Sequence, residues 1–357
     1  MHFIIDADTG ASISGWLAPD NPSLVPSFIV IIPDGRTEIE VKATVMRPTI
    51  RDMGLHATGM CGFTINAAIV PDIAQLEDIE ILEAESRLPI YRRFQPDKDI
   101  PRKLFLFDCS IIPQRRILNH IKNRFSLSYF NSECNGLETT IAMIANPTNK
   151  SIFISGRSVL MRYDQLLKEK EYLRAALLRD PHEELAERLF FLNFLAKEED
   201  AASLSTFTTG VKCLLDFARN LPFSDPKALT SAFRTTTEVQ RRELRSPMTK
   251  VFGCDIDELP KRPNVSKALD NLADFDVVGT RERYPLFKEL LAGALGADAL
   301  GEEAPGVFQS VKTFAEMLSR IGIVNDLLAE DLALYSYVEE AINEGLTNPE
   351  GVIQRQN

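Results

Sequence analysis

The stretch AALLRDPHEE at residues 175–184 decides how the second half of the chain is organised. Its apolar start predicts a buried strand, while Asp180, Pro181 and Glu183 have the residue types of a helix N-cap, first and third positions. A strand that runs straight into a helix is typical of an α/β domain. The helix start would offer amide donors beside the Arg179 guanidinium, so an anion site is predicted here.

The same residues allow a second interpretation of this corner. Asp180 and Glu183 would then only cap their own helix, and Arg179 would pair with a carboxylate of the chain rather than with a ligand.

Strand and helix patterns alternate on both sides of this stretch. Helices are predicted at about 116–124, 183–195, 204–220, 286–295 and 324–342, and strands at 103–107, 151–154, 175–178 and 275–279. This order predicts an α/β domain over 103–345 with a mainly parallel central sheet, followed by a tail at 346–357.

The first 94 residues have a different pattern of short strands and turns. Alternating or apolar runs occur at 3–5, 13–17, 28–32, 37–43, 61–69 and 79–82, and Pro-Asp-Gly at 33–35 predicts a hairpin turn. A small all-β sandwich is predicted over 1–94. Residues 95–102 are polar and flanked by prolines, and they are predicted to be a linker.

Composition excludes several classes of protein. A chain of 357 residues has room for two domains, and 40 Lys and Arg against 51 Asp and Glu argue against a broad nucleic-acid surface. The five cysteines are scattered, which predicts reduced thiols and a cytoplasmic location. Neither a signal peptide nor a transmembrane segment is predicted, and the histidines lack metal-ligand spacing, so no metal is expected.

Four stretches stand out in the second part of the chain: LRDP at 178–181 with RLFFL at 188–192, SPMTKVFG at 246–253, FDVVGTRERY at 275–284, and NDLLAEDLALY at 325–335. Through these stretches, and in the order of the family, the chain from residue 103 to residue 342 resembles the PAPS-dependent carbohydrate sulfotransferases, particularly the group related to heparan and dermatan 2-O-sulfotransferases. The resemblance implies a P-loop-like α/β fold, PAPS (3′-phosphoadenosine 5′-phosphosulfate) as sulfuryl donor, and a hydroxyl of a bacterial glycan or surface polysaccharide as acceptor.

The resemblance also implies the residues that would bind the cofactor. Gln114, Arg115 and Arg116 follow the first strand of the domain, where the family binds the phosphosulfate, and Arg179 matches the arginine that holds the 3′-phosphate. The loop at 108–116 lacks the glycine and lysine of the family, so its arginines are expected to supply the positive charge. The alternative is that Arg115 and Arg116 are simply solvated.

Two positions depart from the family at the chemically demanding steps. Arg157 stands where the family has the histidine that deprotonates the acceptor, and arginine stays protonated near neutral pH. His182 is the candidate that could replace it as base, unless it is only a solvated residue at a helix start. Glu187 stands where the family has a phosphate-holding serine, and its charge would repel a phosphate.

Acceptor binding is predicted at the most basic stretch of the chain, through Arg241, Arg242, Arg245 and Lys250. The alternative is a solvated charged helix face. The first domain resembles small β-modules attached to bacterial glycan-modifying enzymes, through residues 14–20, 47–54 and 59–63. Its Trp16 is either a platform for a sugar or a core residue.

Two functions remain open from the sequence. The leading hypothesis is an enzyme that transfers a sulfuryl group by in-line displacement, with Arg115, Arg116 and Arg179 stabilising the developing charge. The alternative is a catalytically degenerate sulfotransferase-fold protein that acts as a glycan-binding or protein-interaction module. Another nucleotide-dependent transferase is less favoured, because the chain has neither G-x-x-x-x-G-K-[ST] nor G-x-G-x-x-G.

Overall fold

The computed structural model describes residues 1–32, 37–112, 115–198, 209–301 and 306–347. The chain divides into two units by its internal contacts. The first consists of Met1–Phe105, Asn119–Ile154 and Leu166–Tyr172, and the second of Leu106–Leu118, Ser155–Gln165 and Leu173–Asn357.

Two small antiparallel sheets lie in the first unit, which confirms the predicted all-β character of this region. One has the order β1 (His2–Asp8), β2 (Ser12–Ala18), β6 (Met60–Asn66), β5 (Val45–Met46), and the other β4 (Thr37–Lys42), β3 (Ser27–Ile32), β7 (Glu80–Glu83), β8 (Pro89–Arg92). Phe28 of one sheet packs on Phe63 of the other with ring centroids 4.3 Å apart. A short helix, α1 (Pro48–Asp52), was not predicted, and the turn predicted at 33–35 lies outside the described residues.

Residues 95–102, predicted as a linker, lie within the first unit. Asp99 is buried, and its Oδ2 accepts hydrogen bonds from Gln95 N at 2.9 Å and Ser126 Oγ at 2.8 Å. The neighbouring Ile100 is also buried. A segment with such contacts is packed into its surroundings, even though its composition is that of an exposed connection.

A five-stranded parallel sheet forms the centre of the α/β part of the chain. Its order is β10 (Leu127–Tyr129), β11 (Ile152–Gly156), β9 (Lys103–Asp108), β12 (Leu173–Leu178), β13 (Val277–Thr280). The apolar runs of these strands are buried, as expected for a sheet covered on both faces. In this order β10 and β11 lie on one side of β9 and β12 lies on the other, so the direction in which successive strands are added reverses at β9. Ligands of α/β proteins bind beyond the carboxyl ends of the strands at such a reversal of order.

Helices account for most of the remaining described residues after β9. They are α2 (Arg115–Lys122), α3 (Leu137–Ala145), α4 (Asp164–Glu169), α5 (Pro181–Glu198), α6 (Thr209–Lys212), α7 (Leu215–Arg219), α8 (Pro226–Arg234), α9 (Glu238–Leu244), α10 (Pro247–Gly253), α11 (Arg262–Ala273), α12 (Tyr284–Leu295), α13 (Gln309–Ser319), α14 (Gly322–Leu327) and α15 (Ala329–Thr347). In place of the helix predicted at 204–220 there are two short ones, α6 and α7, and residues 204–208 lie outside the described ranges.

The single helix predicted at 324–342 is instead divided into α14 and α15. The division falls at Leu328, because the carbonyl of Leu327 accepts a hydrogen bond from Ser246 N at 3.1 Å. The contact gives a partner to a carbonyl that the end of a helix leaves unpaired, and so stabilises the division at this point.

The helix starts of α10 and α15 cap each other. Asp331 of α15 accepts hydrogen bonds from Met248 N at 3.0 Å and Thr249 N at 2.7 Å, and Ser246 Oγ accepts one from Asp331 N at 3.3 Å. These contacts satisfy amides that a helix leaves unpaired in its first turn. They join the two stretches, 246–253 and 325–335, that carry much of the sequence resemblance.

We expect the stability of the protein to report the titration of Asp331. Burial raises the pKa of this carboxyl to about 7, although the two amide hydrogen bonds oppose the rise. A pKa raised by folding means that the contribution of Asp331 is fully present below about pH 4 and is lost as the pH rises to about 7.

The advantage of the wild type over Asp331→Asn should therefore shrink between these pH values, by about 1.4 kcal/mol for each unit of pKa shift, and stay constant above them. Urea unfolding across this range measures the difference, with the exposed Asp326→Asn as control. A difference that does not change with pH would contradict the expectation.

Candidate functional site

Helix α5 begins as its sequence predicts, immediately after β12. The Oδ1 atom of Asp180 accepts hydrogen bonds from the amides of His182 at 2.9 Å and Glu183 at 3.0 Å, which confirms Asp180 as the N-cap. The amide of Asp180 itself lies 3.4 Å from Glu282 Oε1. These amide donors are therefore directed to carboxylates of the chain.

Arg179 pairs with carboxylates of the chain, as the second interpretation of this corner expects, whereas Glu183 contacts Arg179 instead of the amide of Asp180. Its side chain is 2% exposed, its Nη1 donates to Glu187 Oε2, and its Nη2 lies 3.4 Å from Glu183 Oε2. Glu183 and Glu187 are one turn apart on α5, so both carboxylates face the same way and meet the guanidinium.

A second arginine shares the same carboxylate. Arg281 Nη1 lies 3.2 Å from Glu187 Oε2 and 3.5 Å from Ser110 Oγ, and both Arg281 and Glu187 are buried. We call Arg179, Glu187 and Arg281 the buried ion cluster. A carboxylate thus occupies the position at which the sequence resemblance expects a serine.

Sequence reasoning missed Arg281, although a signal for it exists. Arg179 follows Leu178 at the end of β12, and Arg281 follows Thr280 at the end of β13. Leu178 and Thr280 are paired in the parallel register of these strands. Two adjacent strands that both end in arginine place the two guanidiniums side by side, but only once the strand pairing is known.

The loop after β9 contributes a compact turn. Asp108 Oδ1 accepts a hydrogen bond from Ser110 N at 3.0 Å. Burial, and next the charge of Asp108, raises the pKa of the Cys109 thiol well above its usual value, so this cysteine is not poised as a thiolate nucleophile.

The predicted cofactor residues of this loop are only partly described. Gln114 lies outside the described residues. Arg115 and Arg116 begin α2, but their side chains are not among those described, so their expected role stays a prediction.

The two predicted catalytic residues occupy different positions at the edge of the sheet. Arg157 follows Gly156 at the carboxyl end of β11 and is half-buried. His182 lies on the first turn of α5, where its Nε2 donates to Asn325 Oδ1 at 2.8 Å and its Nδ1 lies 4.0 Å from Asp180 Oδ1. With its proton on Nε2, the neutral ring keeps Nδ1 as the nitrogen that can accept a proton, on the side of Asp180.

The predicted acceptor residues make contacts within the chain. Arg241 donates to Thr236 Oγ1 at 3.1 Å and to Arg234 O at 3.0 Å. The other three also meet acceptors: Arg242 with Asp257 O at 3.3 Å, Arg245 with Glu330 Oε1 at 2.9 Å, and Lys250 with Glu243 Oε1 at 3.9 Å. Because all four side chains already have partners within the chain, these contacts favour a charged helix face over a surface that binds the acceptor.

Trp16 belongs to the apolar packing of the first unit. It is partly buried against a cluster formed by Ala18, Ile50 and Cys61. This contact is typical of the core role rather than of an exposed platform for a sugar.

Three further observations bear on the kind of site. In the part of the chain that the structure describes, no group of three or more His, Cys, Asp or Glu side chains is arranged to hold a metal ion. No helix of the same residues has the length and apolar character needed to cross a membrane. The chain matches no protein-family model and no curated protein.

We expect Glu187→Gln to be strongly destabilising, by about 3–5 kcal/mol, because it leaves two buried guanidiniums without their shared counter-charge. The matched control is Glu183→Gln, one turn earlier on α5, which contacts Arg179 from a partly exposed position and should cost less than about 1 kcal/mol. Denaturant unfolding of both variants measures the difference. Equal losses of unfolding free energy in the two variants would show that the buried contacts of Glu187 stabilise the protein no more than the partly exposed contact of Glu183 does.

Proposed function

We propose that this chain is a catalytically inactive relative of the PAPS-dependent carbohydrate sulfotransferases that has kept the fold and acts as a glycan-binding protein. The observation that carries the loss of activity is the carboxylate of Glu187 held between Arg179 and Arg281. In the resemblance that the sequence suggests, this is where the 3′-phosphate of the donor would be bound.

An internal carboxylate at this place opposes donor binding in two ways. Its negative charge repels a phosphate, and its buried contact with two arginines would have to be broken before a phosphate could replace it. Removing one partner of a buried ion pair costs about 3–5 kcal/mol, which the donor would need to offset.

The groups required for transfer are also poorly placed. An attacking hydroxyl needs a base, but the family's histidine position is Arg157, which stays protonated near neutral pH. The loop after β9 lacks the glycine and lysine that the family uses around the sulfuryl group. The arrangement therefore favours binding over chemistry.

A concavity in the first unit supports the glycan-binding part of the proposal. Its volume is about 410 Å³, within the range of small-ligand sites. Apolar side chains and three carboxylates that can accept hydrogen bonds from sugar hydroxyls line it, namely Pro19, Leu24, Val25, Pro26, Ser27, Ile29, Glu40, Glu83, Ala84 and Glu85. This unit is the part of the chain that resembles modules of glycan-modifying enzymes.

Calorimetric titration with adenosine 3′,5′-bisphosphate tests the loss of donor binding. The wild type should not bind it at micromolar concentration, and Glu187→Ser should gain binding that the further change Arg179→Ala abolishes. Circular dichroism checks that each variant is folded. Tight binding by the wild type that is lost in Arg179→Ala, together with sulfate transfer to a glycan, would overturn the proposal in favour of an active transferase.

Glycan binding is tested on an array of bacterial surface polysaccharides with the whole chain. Glu40→Ala should lower retention on the glycans that bind, by about tenfold in affinity if one charged hydrogen bond is lost. Glu38→Ala is the matched control, because Glu38 lies two residues away on β4, pairs with Arg87 and does not line the concavity. Retention that is unaffected by Glu40→Ala would place the binding surface outside the concavity. No retention on any glycan of the array would overturn the glycan-binding part of the proposal.

A further inference from the structure

The guanidinium of Arg281 has a second edge that the buried ion cluster does not use. Its Nη1 meets Glu187 and Ser110, whereas its Nε and Nη2 are buried and have no hydrogen-bond partner among the described residues. Arg281 is 7% exposed. Buried donors without an acceptor are rare, because each one costs the free energy of its lost hydration.

The unused edge has the geometry of a two-oxygen binding fork. Arg92 shows this elsewhere in the chain, since its Nε and Nη2 donate to the two oxygens of Asp78 at 2.8 and 2.6 Å. The same pair of donors on Arg281 is held in place by the contacts of Nη1. Planar forks of this kind match the oxygens of phosphate, sulfate or carboxylate groups.

Two more buried donors without acceptors belong to residues linked to Arg281, one through the shared carboxylate of Glu187 and one through the turn that follows. They are Arg179 Nε and Tyr284 Oη, within the part of the chain that the structure describes. The guanidiniums of Arg179 and Arg281 meet at one oxygen of Glu187, so they are neighbours. Tyr284 begins α12 directly after the turn that contains Arg281. Burial, and to a smaller extent the charge of Asp298, raises the pKa of the Tyr284 hydroxyl, so the hydroxyl keeps its proton for donation.

We propose that the Nε and Nη2 edge of Arg281 binds a phosphate or sulfate group, with Tyr284 Oη as an additional donor. A carboxylate has two oxygens, whereas a phosphate or sulfate offers at least three, which suits a site with donors beyond a single fork. The group would approach a different edge of Arg281 from the one that Glu187 occupies. The inference does not depend on the proposed function, since it rests on the unpaired donors of Arg281 and Tyr284.

The experiment is calorimetric titration of the whole chain with inorganic phosphate, sulfate and acetate at constant ionic strength. We expect the wild type to bind phosphate and sulfate, and acetate at least about tenfold more weakly. Arg281→Lys keeps the charge but removes the fork, and it should weaken phosphate binding by about tenfold or more. Arg283→Gln is the matched control and should bind as the wild type does, because the Nε and Nη2 of Arg283 already donate to Glu339 and Asn343.

Several outcomes would overturn the proposal. They are no binding by the folded wild type, equal binding of acetate, and equal binding by Arg281→Lys. If Arg281→Lys does not fold, Tyr284→Phe replaces it, and phosphate binding unchanged in that variant would remove the site as described. Glucose 6-phosphate and glucose 6-sulfate separate the sources of the group, because weaker binding of both esters than of the free ions would indicate a free ion as the ligand.

The result can be separated from the test of donor binding. We call the Nε and Nη2 edge of Arg281, with Tyr284 Oη, the oxyanion site. Binding of adenosine bisphosphate that persists in Arg179→Ala and is lost in Arg281→Lys would indicate that the ligand occupies the oxyanion site. The converse pattern would report a donor site and would contradict the proposed function without bearing on the oxyanion site.

Discussion

The sharing of one buried carboxylate by two buried arginines determines what the carboxyl edge of the sheet can bind. Glu187 is part of the same helix that Arg179 precedes, so its carboxylate is present at the two guanidiniums at a high effective concentration. An external anion has to compete with this tethered group and with the cost of leaving it unpaired. The edges of the two guanidiniums that meet Glu187 therefore behave as a filled site, and an anion can approach Arg281 only from its other edge.

Strongly shifted ionisation is often a mark of a functional site, but here it has a structural origin. The carboxyl group with the raised pKa, Asp331, receives two backbone amides and completes the start of α10. The Nε2 of His182 also donates to Asn325, which joins α5 to α14. These two titratable groups thus hold helices in place.

Local features of the fold could be predicted from the sequence, and distant ones could not. The strand, cap and helix at 175–184 depend on neighbouring residues, so residue types alone were sufficient. The break between α14 and α15 depends on Ser246, which is 81 residues from Leu327. Within the site, Arg179 was identified from its local motif, but the role of Arg281 depends on the pairing of β12 with β13. The burial of Asp99 and Ile100 could not be predicted, because the polar, proline-flanked composition of residues 95–102 is also that of linkers and surface turns.

The mutual capping of α10 and α15 also has a consequence for the order of events during synthesis. Met248 and Asp331 are 83 residues apart, so the ribosome releases the amides of α10 several seconds before their acceptor exists. During that interval the two amides have no acceptor from Asp331. The first turn of α10 can therefore reach its native hydrogen bonding only after α15 has been synthesised.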